Sequence, residues 1–174
     1  LTLHDALPIS VLAYALAEGE VVCSAIEPAA GGTRVVLELN SFKTPPRRWS
    51  PADPFLHDLH VRLFEKHREA DAVTSYFGMR SVKLTAREFL LNDEPVYLKL
   101  VLDQGFYPSG IYTAPTDRAL RRDIELSKAA GYNGARLHQK VFEPRFLWHA
   151  DRMGYLCWGE APDWVAIYDN SVAE

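Results

Sequence analysis

Five polar residues stand where apolar runs break off. Asp103 and Gln104 follow Leu98-Lys99-Leu100-Val101-Leu102, Arg136 and His138 flank Leu137, and Glu160 follows Tyr155-Leu156-Cys157-Trp158-Gly159. Each type suits hydroxyl groups: carboxylates accept hydrogen bonds, a guanidinium donates them, and an imidazole can do either. The neighbouring Phe106, Tyr107, Trp158 and Trp164 offer flat faces for sugar C–H groups. All five polar residues are therefore candidate substrate-binding residues of a pocket for a polyhydroxyl ligand. Plainer roles compete. Arg136 and Glu160 can form a buried ion pair, His138 can be the satisfied partner of a neighbouring carboxylate, and Asp103 can cap a turn. His149 and Asp151 fall on a helix and read as structural. A metal reading would rest on His138, Glu160 and Asp103, which lack an H-x-H or H-E-x-x-H spacing.

These residues need elements to position them, and the chain changes period part-way. From Val11 to Lys83 it reads as strands. Val21-Val22 and Val35-Val36-Leu37-Glu38-Leu39 are β-branched runs separated by Pro28 and Gly31-Gly32. Phe55, Leu59, Val61 and Leu63 alternate with Asp58, His60 and Arg62, the pattern of a half-buried antiparallel strand. Residues 72–77 form another such run, ended by Gly78. Strands at this spacing suggest a β-sandwich over residues 11–83. Pro45-Pro46, Pro51 and Pro54 exclude a regular strand around Trp49, so a rigid loop lays that indole against the sandwich edge.

From Leu84 the pattern becomes mixed. Phe89-Leu90-Leu91 and Pro95-Val96-Tyr97-Leu98 flank Asn92-Asp93-Glu94, a hairpin signature. The strand 98–102 precedes a helix over 116–130, entered at Thr116 and ended by Gly131. A strand at 134–138 and a helix opened by Glu143-Pro144 and closed by Gly154 follow, then a strand at 155–158. Such β-α-β-α-β order implies parallel strands, in either a (β/α)8 barrel or a doubly wound sheet. In a barrel the tips carrying the five polar residues are the functional end.

Composition narrows the function classes. The chain has 174 residues, 48% hydrophobic and 24% charged, with 19 Lys+Arg against 23 Asp+Glu and a net charge of −4. That is a chain with a real core. Mild acidity argues against nucleic acid as a partner, and no apolar run reaches the ~18 residues of a membrane span. Cys23 and Cys157 form no CxxC and read as two buried free thiols. No G-x-G-x-x-G follows a strand, so a dinucleotide site has no support; no cofactor is expected. The chain begins with Leu1, and no targeting segment is visible. Residues 3–9 resemble a translated sequencing adapter, or else an ordinary frayed strand.

Several motifs, in order, resemble those of glycoside hydrolase family 2, the β-galactosidase, β-glucuronidase and β-mannosidase superfamily. Trp49-Ser50-Pro51-Ala52-Asp53-Pro54-Phe55-Leu56 is similar to W-S-P-x-x-P-x-L-Y. Asp71 through Phe77-Gly78-Met79-Arg80 is similar to D-x-V-x-x-x-F-G-x-R. Phe89-Leu90-Leu91-Asn92-Asp93-Glu94-Pro95 resembles F-x-L-N-G-x-P, with Asp93 in place of Gly. Gly131 through His138 resembles G-x-N-x-x-R-x-x-H, with His138 one residue early. Asp151 through Glu160 resembles D-x-x-G-x-x-x-x-x-E. The resemblance implies a partial immunoglobulin-like sandwich (11–83) and the first units of a TIM barrel (84–174), both cut short. It also implies a retaining glycosidase for β-linked sugars, with a carbohydrate as partner and room for a homo-oligomeric full-length protein. The family's acid/base is a Glu in an Asn-Glu pair after the fourth strand, and its nucleophile Glu comes later. The chain has no Asn-Glu pair, so no catalytic residue carries over, Glu160 included, and the fragment is expected to be inactive. Arg136 and His138 match pocket-lining positions. A non-catalytic carbohydrate-binding or scaffolding module is the alternative.

Overall fold

The computed structural model describes residues 9–32, 34–66 and 68–162. Trp164 and Asp163, expected at the third strand tip, lie outside the described residues, as does most of the adapter-like stretch. Two compact units are present. The first takes in the residues up to Trp49 with Phe55–Arg80, the second Ser50–Pro54 with the residues from Ser81 onward.

The first unit is an antiparallel sheet in the order β2-β1-β3-β4, formed by β1 (Ile9–Ala17), β2 (Glu20–Ala29), β3 (His57–Glu65) and β4 (Arg68–Phe77). It fits a β-sandwich domain. Glu18 and Gly19, at φ 52° and 86°, make the two-residue turn that matches the twist of the flanking strands. Period 2 sets the faces. Ala15 lies between Cys23 and Leu59, and Ala13 beside Val61, with Ala13, Ala15 and Cys23 buried. Cys157, expected to be buried as well, is exposed, because among the described residues it stands on an edge strand of the second unit. On the opposite face Tyr14 pairs with His60 in a stack at 5.0 Å. Trp49 is buried as a plug: its ring lies under the Arg80 guanidinium at 4.9 Å, and a Cβ on Gly78 would come within 3.1 Å of its own Cβ.

Residues 35–39 depart from the expected strand. Val35, Leu37 and Leu39 are half-buried and alternate with exposed Val36 and Glu38, yet the segment pairs with no strand among the described residues. Alternation sets which side chains face in; a ladder needs a neighbour at the right distance.

His57 was not distinguished by its sequence pattern. It is 1% exposed, stacked on Phe77 at 5.0 Å and edge-on to Phe55 and Phe42. Its Nδ1 has no hydrogen-bond partner among the described residues. Burial pushes its pKa down from the usual histidine value. The unfolded chain then binds a proton that the folded chain resists, so stability is full above about pH 6.5 and falls as pH drops below it. Denaturant midpoints should decline from pH 7 to 5, and His57→Phe should flatten that decline; equal slopes would contradict it.

The second unit opens with a small sheet of β5 (Val82–Leu84), β6 (Phe89–Leu91) and β7 (Glu94–Pro95), the last two joined through Asn92 and Asp93 at φ 56° and 70°. The expected hairpin is present; β5, with three residues, is too short to show a pattern in sequence.

There follow β8 (Leu100–Asp103), α1 (Asp117–Ala129), β9 (Gly134–Leu137), α2 (Pro144–Met153) and β10 (Leu156–Gly159). β8, β9 and β10 are parallel neighbours in chain order. Thr116 caps α1, its side chain accepting from Ala119 N at 3.2 Å; Gly154 ends α2 at φ 64°. Asn133 ties β8 to β9, accepting from Lys99 N and donating to Tyr97 O, both at 2.8 Å. Leu120 and Ile124 of α1 and Phe146 and Ala150 of α2 bury one face of the sheet, Ala135 and Leu137. His149 of α2, buried, bonds Asp117 of α1 at 3.0 Å, the structural role read for it. No helix among the described residues is long and apolar enough to cross a membrane.

Candidate functional site

The alternation that sends Ala135 and Leu137 toward the helices sends Arg136 and His138 to the other face. Register completes that face. Arg136 lies between Leu102 of β8 and Trp158 of β10. Leu102 and Trp158 are 53% and 48% exposed, so this row is open. Gly134 lies one row below, between Leu100 and Leu156.

At the strand tips three of the five candidates meet. Arg136 Nε donates to Glu160 Oε2 at 2.7 Å, and His138 Nδ1 contacts Glu160 Oε1 at 2.8 Å. Arg136 and His138 approach within 3.4 Å. The ion pair expected as buried is partly open: the side chains of Arg136 and Glu160 are 48% and 23% exposed. The cost of partial burial opposes the Glu160 charge, but the bonds from Arg136 and His138 outweigh it and hold the carboxyl below its usual range. The result is a fixed carboxylate with a cation on one side and an imidazole on the other. Such a set can grip vicinal hydroxyls, each taking one donor and one acceptor.

Asp103 and Gln104 do not join this cluster. Asp103 Oδ1 accepts from Gly105 N at 2.8 Å, the turn-capping role, while its carbonyl accepts from His138 N at 2.8 Å. Burial pushes the Asp103 pKa up, and nearby Asp123 adds to the rise. Gln104 is exposed.

Lys140 was invisible as a structural tie because its partners are 28 and 35 residues away. Its Nζ donates to Gly105 O at 2.9 Å and to Tyr112 O at 2.8 Å. Tyr107 is anchored as well, its hydroxyl donating to Asp123 at 2.7 Å.

Residues 17–80 match the model of the Glycosyl hydrolases family 2. The β-galactosidase BoGH2A of Bacteroides ovatus is 27% identical over 164 residues, covering 84% of this chain and 19% of that protein. A β-glucuronidase of Paenibacillus borealis is 32% identical over 121 residues, covering 67% of this chain and 20% of the relative. The matched segment is that of glycoside hydrolase family 2, and the relatives carry the likeness over most of the chain. A solved family 2 member from Bacteroides cellulosilyticus superposes with a TM-score of 0.74 at 25% identity, covering 88% of this chain and 22% of its own. The fold is also that of Parabacteroides merdae β-glucuronidase, TM-score 0.78 at 19% identity, over 93% of this chain and 20% of that one. The chain thus spans about a fifth of the length of the relatives it matches. Their names are those of glycosidases, which does not favour a non-catalytic module.

Proposed function

We propose that this chain is the sandwich and barrel-opening part of a retaining β-glycosidase that hydrolyses O-glycosyl bonds of β-linked sugars. The observation that carries the reading is the Arg136–His138–Glu160 cluster at adjacent parallel strand tips, in a chain with a family 2 segment. β8, β9 and β10 run in chain order, and α1 and α2 lie against one another on one face. Three consecutive parallel strands with both helices on one face suit a barrel opening and equally the first half of a doubly wound sheet; the family resemblance favours the barrel. The open row Leu102–Arg136–Trp158 would then face the barrel interior.

In this mechanism two carboxylates about 5–5.5 Å apart do the bond breaking, one as nucleophile and one as acid/base, with a covalent glycosyl intermediate. Neither is assigned to a residue of this chain. The contribution of the chain is binding. Arg136, His138 and Glu160 would hold sugar hydroxyls, with Asp103 and Gln104 at the rim. Their bonds would fix the ring so that the attacking carboxylate meets the anomeric carbon.

Assay of the complete gene product on 4-nitrophenyl β-glycosides tests this. Turnover with net retention is expected from the complete product and none from residues 1–174 alone. Turnover by the 174-residue chain, or inversion, would contradict the reading.

A further inference from the structure

We propose that the loop after β8, residues 104–116, is a leaving-group platform on which Phe106 and Tyr112 take the flat apolar face of the aglycone. That face is either an aryl ring or the C–H face of a second pyranose. The inference rests on the glycosidase reading above and extends it to the other side of the scissile bond.

Phe106 and Tyr112 are 54% and 53% exposed, and their rings meet edge to face at 4.5 Å with 62° between planes. Ile111 beside them is 66% exposed. A lone exposed apolar side chain is ordinary; three on one short loop form a patch of the kind that marks binding sites.

The loop is also held rigidly. Lys140 bridges it between the Gly105 and Tyr112 carbonyls, with its Nζ 5.0 Å from the Tyr112 ring centroid. Gly105 adopts φ +64°, and a Cβ there would come within 2.7 Å of Lys140 Nζ. Tyr107 and Ile111 exchange backbone hydrogen bonds of 2.8 and 2.9 Å, closing the tip. That closure holds Ile111, a β-branched residue, at φ +54°, a conformation such residues disfavour. Strain of this kind persists only when the surroundings impose it, and it clusters at ligand sites. Position supports the role. The His138 N–H bond to Asp103 O places the exit of β9 beside the exit of β8. Phe106 follows Asp103 by three residues; Lys140 follows His138 by two. Hydroxyl-binding groups and an aromatic corner therefore stand at neighbouring strand tips. That is the division of labour in sugar pockets, where a few polar groups orient and apolar faces supply contact.

The test compares kcat/KM of the complete gene product and its Phe106→Leu and Tyr112→Ala variants on three substrates with one glycone. The leaving groups are 4-nitrophenol, a second sugar and 2,2,2-trifluoroethanol. Normalising each variant to the parent removes the effect of leaving-group acidity. The 4-nitrophenyl to trifluoroethyl ratio should fall roughly five- to tenfold in both variants. A matching fall for the disaccharide identifies the pyranose face as an occupant; a fall for the aryl substrate alone restricts the platform to aryl groups. Phe106→Leu keeps the apolar bulk, so folding is retained while the flat face is lost. Equal losses on all three substrates, or none, would overturn the platform while leaving the glycosidase reading in place. No turnover of any glycoside by the parent would sink both.

Discussion

Glu160→Gln should lower kcat/KM of the complete gene product on β-glycosides by about 100-fold. Glu160 is the acceptor at the centre of the cluster, bonded to Arg136 at 2.7 Å and His138 at 2.8 Å. Gln keeps the volume but replaces one acceptor oxygen with a donor NH2. Turned toward Arg136 that donor meets another donor, and in any orientation the negative charge between Arg136 and His138 is lost. Hydrogen bonds to charged groups are worth about 1.5–3 kcal/mol each, and about 2.7 kcal/mol corresponds to the stated loss. Stability should barely change. The pair is 48% and 23% exposed, and ion pairs open to water contribute little. A large drop in melting temperature with kcat/KM intact would mean that the cluster only braces the strand tips.

Gly134→Val should destabilise the second unit by about 3 kcal/mol, at the upper end of the usual cost of overpacking. Gly134 lies in the row between Leu100 and Leu156. A Cβ there would come within 2.7 Å of Leu100 Cδ2 and of Leu156 Cβ, and would also strike the Leu156 carbonyl oxygen. A side-chain tip can swing away; a carbonyl in a parallel ladder cannot move without breaking pairing. The strain falls two residues before Arg136, so the tip geometry should suffer with the fold. Denaturant unfolding of the variant measures the loss; an unchanged midpoint would show that the three strands do not pack as described. Gly134→Ala should give a smaller effect of the same sign.

What was legible in the sequence was local. Asn92-Asp93 specified a turn because both residues tolerate positive φ, and the hairpin is there. Thr116, Gly131, Pro144 and Gly154 bounded two helices because capping chemistry is confined to a few positions. The apolar-then-polar transition at each strand end located Arg136, His138 and Glu160, and the structure brings these three together. What was not legible was pairwise and distant. Nothing adjacent to His57 announces that Phe42, Phe55 and Phe77 enclose it. Nothing near Lys140 announces two carbonyls on a distant loop. Val35 to Leu39 alternates as a strand does, yet alternation carries no information about a partner. Asp103 resembles the other tip residues in sequence, but strand parity turns it away from them, toward Gly105.

The central claim is that Arg136, His138 and Glu160 contact the sugar being cleaved. Its most direct test is a crystal structure of the complete gene product with a glyconolactone or imino-sugar inhibitor bound. At least two of the three side chains should lie within hydrogen-bond distance, about 2.6–3.2 Å, of ring hydroxyls. An inhibitor seated in the barrel mouth, with all three side chains turned to one another and none within about 4 Å of it, would contradict the account.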